Sequence, residues 1–130
     1  MKPRYTLKVV TDFAAAHSLR DYAGECRRLH GHNWKVEVEV VASALDRLGM
    51  AIDFKDVKAA ARAAAGELDH RYLNEMPPFD QVNPTAENIA AHLFERIAET
   101  LDNERVQVSA VTVWETERAC IRYAKEAEND

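Results

Sequence analysis

Three histidines are placed where their side chains could meet. His30 and His32 are separated by one residue at the start of an alternating run of apolar and charged residues. Because side chains along a strand repeat with period two, both imidazoles project from the same face of that strand. His17 ends an earlier alternating run and is in phase with its apolar positions. If the two strands pair as neighbours, the three imidazoles converge on one point.

Three neutral imidazoles with an open fourth position are typical of a catalytic zinc ion, whereas structural zinc sites are closed by four ligands rich in cysteine. The sequence therefore predicts a catalytic Zn²⁺ site on His17, His30 and His32. A histidine pair of this spacing also arises by chance, but His17 and the nearby Cys26 favour the metal site. Three imidazoles suit other divalent ions as well, so the identity of the metal stays open.

The period of the apolar residues predicts the elements that position these histidines. Alternation predicts strands at both ends of the chain, and apolar residues at helical spacing predict two helices between them. The predicted elements are strands over residues 4–16 and 30–42, helices over residues 54–68 and from Pro84 and Thr85 to Leu101, and strands from Arg105 and over residues 120–125. The prediction is an α+β fold in the order ββααββ, with two helices on one face of a four-stranded antiparallel sheet.

Composition limits the classes of protein to which the chain could belong. A length of 130 residues, 47% of them hydrophobic, predicts a single domain over residues 1–130. A formal charge of −5 argues against binding to nucleic acid. We find neither an apolar run long enough to span a membrane nor an export signal. Cys26 and Cys120 are the two cysteines, which suits free thiols in a reducing cytoplasm.

Four motifs together resemble a known family. They are FAAAHSL at residues 13–19, CRRLHGHNW at residues 26–34, LDH at residues 68–70 and WET at residues 114–116. In this order they resemble the 6-pyruvoyl-tetrahydropterin synthase family, and most of all its bacterial branch that makes a carboxypterin for queuosine biosynthesis. The resemblance implies the tunnelling fold, in which three sheets close into a barrel and two trimers stack. A homo-oligomer is also expected physically, because the sheet leaves one face and two edges without cover.

The resemblance also implies roles for further residues. The Cys26 thiol would transfer protons together with Asp69 and His70, and Glu115 would hold the pterin through paired hydrogen bonds. From the residues alone, Cys26 lies in a polar loop beside cationic groups that would lower its pKa. Asp69 and His70 alone would be an ordinary helix end. A buried carboxylate at Glu115 would need a partner, although a surface charge is the alternative.

The implied substrate is 7,8-dihydroneopterin triphosphate, converted to 6-carboxy-5,6,7,8-tetrahydropterin with release of acetaldehyde and triphosphate. Arg27, Arg28 and Lys35 are candidates for the positive charge that the phosphates need, with ordinary surface charges as the alternative. The pyruvoyl synthase itself, which stops before carbon–carbon cleavage, is the nearest alternative function. The residues around Cys26 do not favour the folate branch of the family. A module that binds zinc or pterin without catalysis is the remaining alternative.

Overall fold

The computed structural model describes residues 1–24 and 27–125. Two helices lie between strand pairs, and a short strand and a 3-10 turn lie between the helices. The elements are β1 (Tyr5–His17), β2 (His30–Ala42), α1 (Phe54–Gly66), β3 (Arg71–Tyr72), the 3-10 turn (Leu73–Glu75), α2 (Ala86–Leu101), β4 (Val106–Thr116) and β5 (Ala119–Ala124). Neither helix has the length and apolar character needed to cross a membrane.

The strands form one five-stranded sheet in the order β3-β1-β2-β4-β5. β1 and β2 are antiparallel along their whole length, from the Tyr5–Ala42 pair to the His17–His30 pair. β3 runs parallel to β1 and pairs with Ala15 and Ala16. The α+β class is confirmed, but the prediction of a four-stranded antiparallel sheet in the order ββααββ is wrong. A strand of two residues has no detectable period, so β3 could not be found from the sequence.

Local signals set the ends of the helices. The Asp53 carboxylate accepts a hydrogen bond from the backbone N–H of Lys55 at 2.8 Å, and the Thr85 hydroxyl accepts one from that of Asn88 at 3.1 Å. These are N-caps, which satisfy donors that the first helical turn leaves free. Helix α1 ends at Gly66, two residues before the predicted end. The bounds of β2 agree with the prediction, whereas β1 extends one residue further and includes His17.

Both helices cover the same face of the sheet, α1 over β1 and α2 over β4 and β5. The core between them is built from alternate residues of the strands and from the apolar faces of the helices. Its fully buried members include Trp34, Val36, Val38, Val40, Val57, Ile89, Leu93, Ile97, Val111 and Val113. Burying each of the larger side chains contributes about 1.5–3 kcal/mol. This packing fixes the register of β2, and therefore the face from which His30 and His32 project.

Candidate metal centre

The three histidines meet at one end of the sheet, on the face that carries the core. His17 is the last residue of β1 and pairs across the ladder with His30, the first residue of β2. The ring centroid of His17 lies 4.4 Å from that of His30 and 5.2 Å from that of His32. The centroids of His30 and His32 are 4.8 Å apart. The predicted pairing of the two strands therefore brings the three imidazoles together.

Trp34 forms the floor of the cluster. Its ring is fully buried and lies edge-on to both His17, at 4.9 Å between centroids, and His32, at 5.2 Å. The indole N–H of Trp34 donates to the carbonyl of Ala15 at 3.3 Å, which ties this ring to β1. The cluster thus rests on a rigid apolar support that keeps water away from one side of the imidazoles.

Backbone carbonyls orient two of the rings. The Nδ1 atom of His17 is 2.7 Å from the carbonyl oxygen of Pro84, and that of His30 is 2.7 Å from the carbonyl oxygen of Arg28. A carbonyl can only accept, so each Nδ1 carries a hydrogen, and Nε2 is the nitrogen of each ring that can coordinate a metal. Histidines that bind metals are commonly held in this way, with one nitrogen fixed by the backbone and the other free to coordinate.

Burial keeps the imidazoles in the form that binds metals. Only 1% of His17 is exposed, and burial lowers its pKa more than the Pro84 carbonyl and the Glu115 carboxylate raise it. Burial likewise lowers the pKa of His32, against the opposing effect of Glu115. Both rings are therefore neutral at pH 7. Neutral imidazole is the ligand form, because a protonated ring has no lone pair to donate.

Glu115 joins the histidines. Its Oε1 atom lies 3.3 Å from the Nε2 atoms of both His17 and His32. Both Nε2 atoms are buried, and neither has a hydrogen-bond partner among the residues that the structure describes. The ligand atoms of His17, His30, His32 and Glu115 all lie within 4.8 Å of one another. Two orphaned nitrogens facing a carboxylate are a donor set that fits a divalent cation.

Asp69 and His70 lie in a turn after α1 and not at its end. The backbone N–H of His70 donates to the carbonyl of Ala14 at 2.6 Å, and the Ala14 N–H donates to the Asp69 carboxylate at 2.8 Å. His70 has a φ of 58°, in the left-handed region that costs a residue with a side chain about 1–3 kcal/mol. That backbone turn lets the Nδ1 atom of His70 reach Asp69 Oδ2 at 2.9 Å.

This turn pairs two adjacent side chains that helical geometry would have kept apart. The hydrogen bond from the Ala14 N–H, followed by that from His70, lowers the pKa of Asp69 below its usual range. The aspartate is therefore ionised at pH 7 and can stabilise a protonated imidazole beside it. The sequence alone did not identify the left-handed conformation, because His70 is not glycine, the residue that adopts it without steric cost.

A cleft of about 550 Å³ lies beside β3, and its lining from β1 and β2 includes Ala14, Ala16, Gly31 and Asn33, which alternate with the histidines and lie on the sheet face away from the core. Its wall includes His32 from the histidine cluster and His70, Arg71 and Tyr72 from the turn and β3. Strand β3, which the sequence did not predict, thus forms one side of the cleft.

Cys120 and Lys35 lie away from the histidine cluster. Cys26 is outside the described residues, and Cys120 is an exposed free thiol on β5. Lys35 projects from the opposite face of the sheet, where its ammonium is 3.5 Å from the Glu37 carboxylate and 5.1 Å from the centre of the Trp114 ring. Among the candidates for phosphate binding, Lys35 is therefore directed away from the histidines.

The carbonyls of Arg28 and Pro84 are functional groups that the sequence reading missed. Residue type does not encode a backbone carbonyl, so no pattern could have identified them. The position of Glu115 beside the histidines did have a signal, because it is in phase with Val111 and Val113 on the core face of β4.

The fold and the site define an α+β protein with a histidine and carboxylate cluster suited to a metal ion. The sequence profile of the family described as 6-pyruvoyl tetrahydropterin synthase matches residues 6–126. The chain belongs to this family.

Similar proteins include synthases of the carboxy branch, which are lyases of this family. The 6-carboxy-5,6,7,8-tetrahydropterin synthase of Synechocystis is 39% identical over 92 residues, covering 67% of this chain and 70% of that protein. A dihydroneopterin monophosphate aldolase of Pyrococcus furiosus is 36% identical over 103 residues, covering 79% and 82%. The structure of 6-pyruvoyl tetrahydropterin synthase from Caenorhabditis elegans has a TM-score of 0.84 at 27% identity, with coverage of 96% and 98%.

Proposed function

We propose that the chain is a zinc-dependent 6-carboxy-5,6,7,8-tetrahydropterin synthase of queuosine biosynthesis. Its substrate would be 7,8-dihydroneopterin triphosphate, and its products 6-carboxy-5,6,7,8-tetrahydropterin, acetaldehyde and triphosphate. The names of the Synechocystis and Rickettsia typhi relatives support this assignment, the second being 30% identical over 128 residues with 85% of this chain covered. The observation that carries the proposal is the convergence of His17, His30, His32 and Glu115, whose ligand atoms all lie within 4.8 Å of one another.

His17, His30 and His32 would hold the metal ion. A bound Zn²⁺ would supply Lewis acidity to side-chain oxygens of the substrate and stabilise negative charge that develops on them. The protein prepares this site through burial, which lowers the pKa of His17 and His32, and through the backbone carbonyls that fix His17 and His30. Because these groups are oriented before the substrate arrives, little reorganisation is needed during the reaction.

Asp69 and His70 would move a proton at the side chain of the substrate. The ring of His70 is 82% exposed and lines the cleft, so its Nε2 edge is accessible to a ligand there. Asp69 is held by the backbone of β1 and by His70, which makes it an orienting group and a counterion. The Cys26 thiol would act as the second proton-transfer group, and Glu115 would accept hydrogen bonds from the amino and ring N–H groups of the pterin.

Two other activities have specific support. The likeness to the nematode structure favours 6-pyruvoyl-tetrahydropterin synthase, which eliminates triphosphate without cleaving the side chain. The Pyrococcus relative favours an aldolase acting on a dihydroneopterin monophosphate. A binding module without catalysis is disfavoured by the pairing of Asp69 with His70, since binding alone would not need it.

Product analysis separates these functions. Zinc-loaded protein is incubated with 7,8-dihydroneopterin triphosphate, and in parallel with the monophosphate, and the products are identified by mass spectrometry. We expect acetaldehyde and the carboxypterin from the triphosphate. A pyruvoyl product, or turnover of the monophosphate alone, would replace the assignment with one of the alternatives. Unchanged substrate in both reactions would contradict an enzymatic role.

The proposal extends to the whole protein. A single domain over residues 1–130 would carry the activity in the cytoplasm, as the free thiol of Cys120 suits. The chain would assemble into a homo-oligomer, with a hexamer built as a dimer of trimers implied by the family resemblance.

A further inference from the structure

We propose that Glu115 is a fourth ligand of the metal ion in the substrate-free protein, and that the pterin removes it from the metal when it binds. One carboxylate would thus close the metal site at rest and recognise the substrate later. The inference rests on the proposed function, because it assumes both a divalent cation and a pterin. The inference goes beyond the proposed function because pterin binding would itself create the open coordination position on the metal.

The distances between Glu115 and two imidazoles support its role as a metal ligand. Tetrahedral coordination with bonds of about 2.0–2.2 Å places ligand atoms roughly 3.3–3.6 Å apart. The Glu115 Oε1 atom lies 3.3 Å from Nε2 of His17 and 3.3 Å from Nε2 of His32. Both separations lie within this range, so one cation could be bound by Glu115, His17 and His32 together.

The electrostatics of the cluster favour a cation between Glu115 and the imidazoles. The Nδ1 hydrogen of His17 is committed to the Pro84 carbonyl, so its Nε2 presents a lone pair toward Glu115. A carboxylate oxygen facing a buried lone pair is repelled unless a cation lies between them. Neither Nε2 atom makes a hydrogen bond with a described residue, Glu115 included. Coordination of one cation by all of these atoms removes the repulsion.

The Glu115 side chain can rotate away from the metal. It is 35% exposed, and the histidines are its only ionic neighbours among the described residues. It can therefore turn without breaking another bond to the protein. When the pterin arrives, the Glu115 oxygen leaves the metal and accepts hydrogen bonds from the pterin's amino and ring N–H groups. The vacated position then takes an oxygen of the substrate side chain.

If the metal ion and the pterin compete for the Glu115 carboxylate, each should weaken the binding of the other. 6-Methylpterin offers the N–H donors of the ring but no side-chain oxygen for the metal. It should therefore bind the metal-free protein more tightly than the cobalt-loaded protein. By linkage, 6-methylpterin must weaken the binding of Co²⁺ by the same factor, which we expect to lie within the usual range of about 5–150-fold.

The experiment measures both affinities by calorimetry, with Co²⁺ absorption as a second readout of coordination. Glu115→Gln should lower the affinity for Co²⁺ at least about tenfold, a loss that removal of even an outer partner of a ligand can cause. Glu117→Gln is the matched control, because it removes the same charge from an exposed position two residues away. It should leave the affinity for Co²⁺ and the coupling unchanged.

Two results would overturn the inference: equal binding of 6-methylpterin to the metal-free and cobalt-loaded proteins, or wild-type affinity for Co²⁺ in Glu115→Gln. Absence of 6-methylpterin binding to either form would overturn it together with the pterin assignment. Antagonism in a protein that fails to convert 7,8-dihydroneopterin triphosphate would support the inference and count against the proposed reaction alone.

Discussion

Single side chains at one end of the sheet are prepared for chemistry by the backbone around them. The parity of His17, His30 and His32 in two strands was enough to predict that they converge. Their ring orientation was not predictable, because it depends on the carbonyls of Arg28 and Pro84. The pairing of Asp69 with His70 likewise depends on a left-handed backbone that the residue types do not signal.

Asp69 allows its structural and chemical roles to be tested separately. Asp69→Asn keeps an oxygen that can accept from the Ala14 N–H but loses the charge beside His70. We therefore expect near-native folding by circular dichroism, with turnover of the pterin substrate lowered about 10²–10⁴-fold. Asp69→Ala should lose activity and also thermal stability, since the Ala14 N–H loses its partner. Wild-type turnover in Asp69→Asn would contradict the proposed relay.

The same aspartate predicts a dependence of stability on pH. Its pKa is lowered in the folded protein, so it stabilises the fold above the pKa of the unfolded chain. This contribution is lost as the pH falls through the folded pKa. Thermal melts between pH 7 and pH 3 should therefore show a smaller acid-induced loss for Asp69→Asn than for the wild type. Parallel curves would contradict the account of Asp69.

At the scale of secondary structure, strands, helices and the segment between them position the residues of the site. The alternation in β2 predicted its bounds, and N-cap residues predicted where both helices begin, because these signals are local. The 74–84 segment carried no such periodicity, yet it supplies the Pro84 carbonyl to His17. It is fastened to the end of β1 by side-chain amides, which is a tertiary arrangement that local patterns do not contain.

Asn83 is the clearest part of this attachment. Its side chain accepts from the backbone N–H of Arg20 at 2.9 Å and donates to the Arg20 carbonyl at 3.0 Å. The Arg20 guanidinium in turn donates to the carbonyls of Asn74 and Phe79. These bonds hold the segment against β1 and thereby position the Pro84 carbonyl for His17.

Asn83→Ala should therefore weaken the binding of a divalent metal by about 10–100-fold, the range seen when groups that orient metal ligands are lost. Asn103→Ala is the matched control, because that amide accepts from the N–H groups of Arg105 and Val106 at the opposite end of the sheet. Both variants should unfold at lower temperature, but only Asn83→Ala should lose metal affinity in a chelator competition. Equal metal affinities would contradict the positioning role.

At the scale of the whole molecule, the described residues leave strand edges of the sheet unpaired. β3 pairs with β1 only at Ala15 and Ala16, and β5 forms the other edge of the sheet. Unpaired backbone groups along such edges favour association with another chain. The face away from the helices adds an exposed apolar side chain at Val10, 56% accessible, among charged neighbours.

We expect light scattering to find a homo-oligomer, with the mass of six chains if the assembly follows the family resemblance. Val10→Asp should weaken the assembly because it places a charge on the uncovered face. Leu48→Asp is the comparison, since Leu48 is also exposed, at 71%, but lies in the loop between β2 and α1. A monomer at micromolar concentration would contradict the assignment of the edges as contact surfaces.

The proposed chemistry depends most on three imidazoles binding a single cation. Crystals of the zinc-loaded protein, measured on both sides of the zinc absorption edge, locate that ion directly. We predict one anomalous peak per chain within about 2.0–2.1 Å of nitrogens of His17, His30 and His32. A peak bound by other residues, or fully loaded protein without a peak at this cluster, would contradict it.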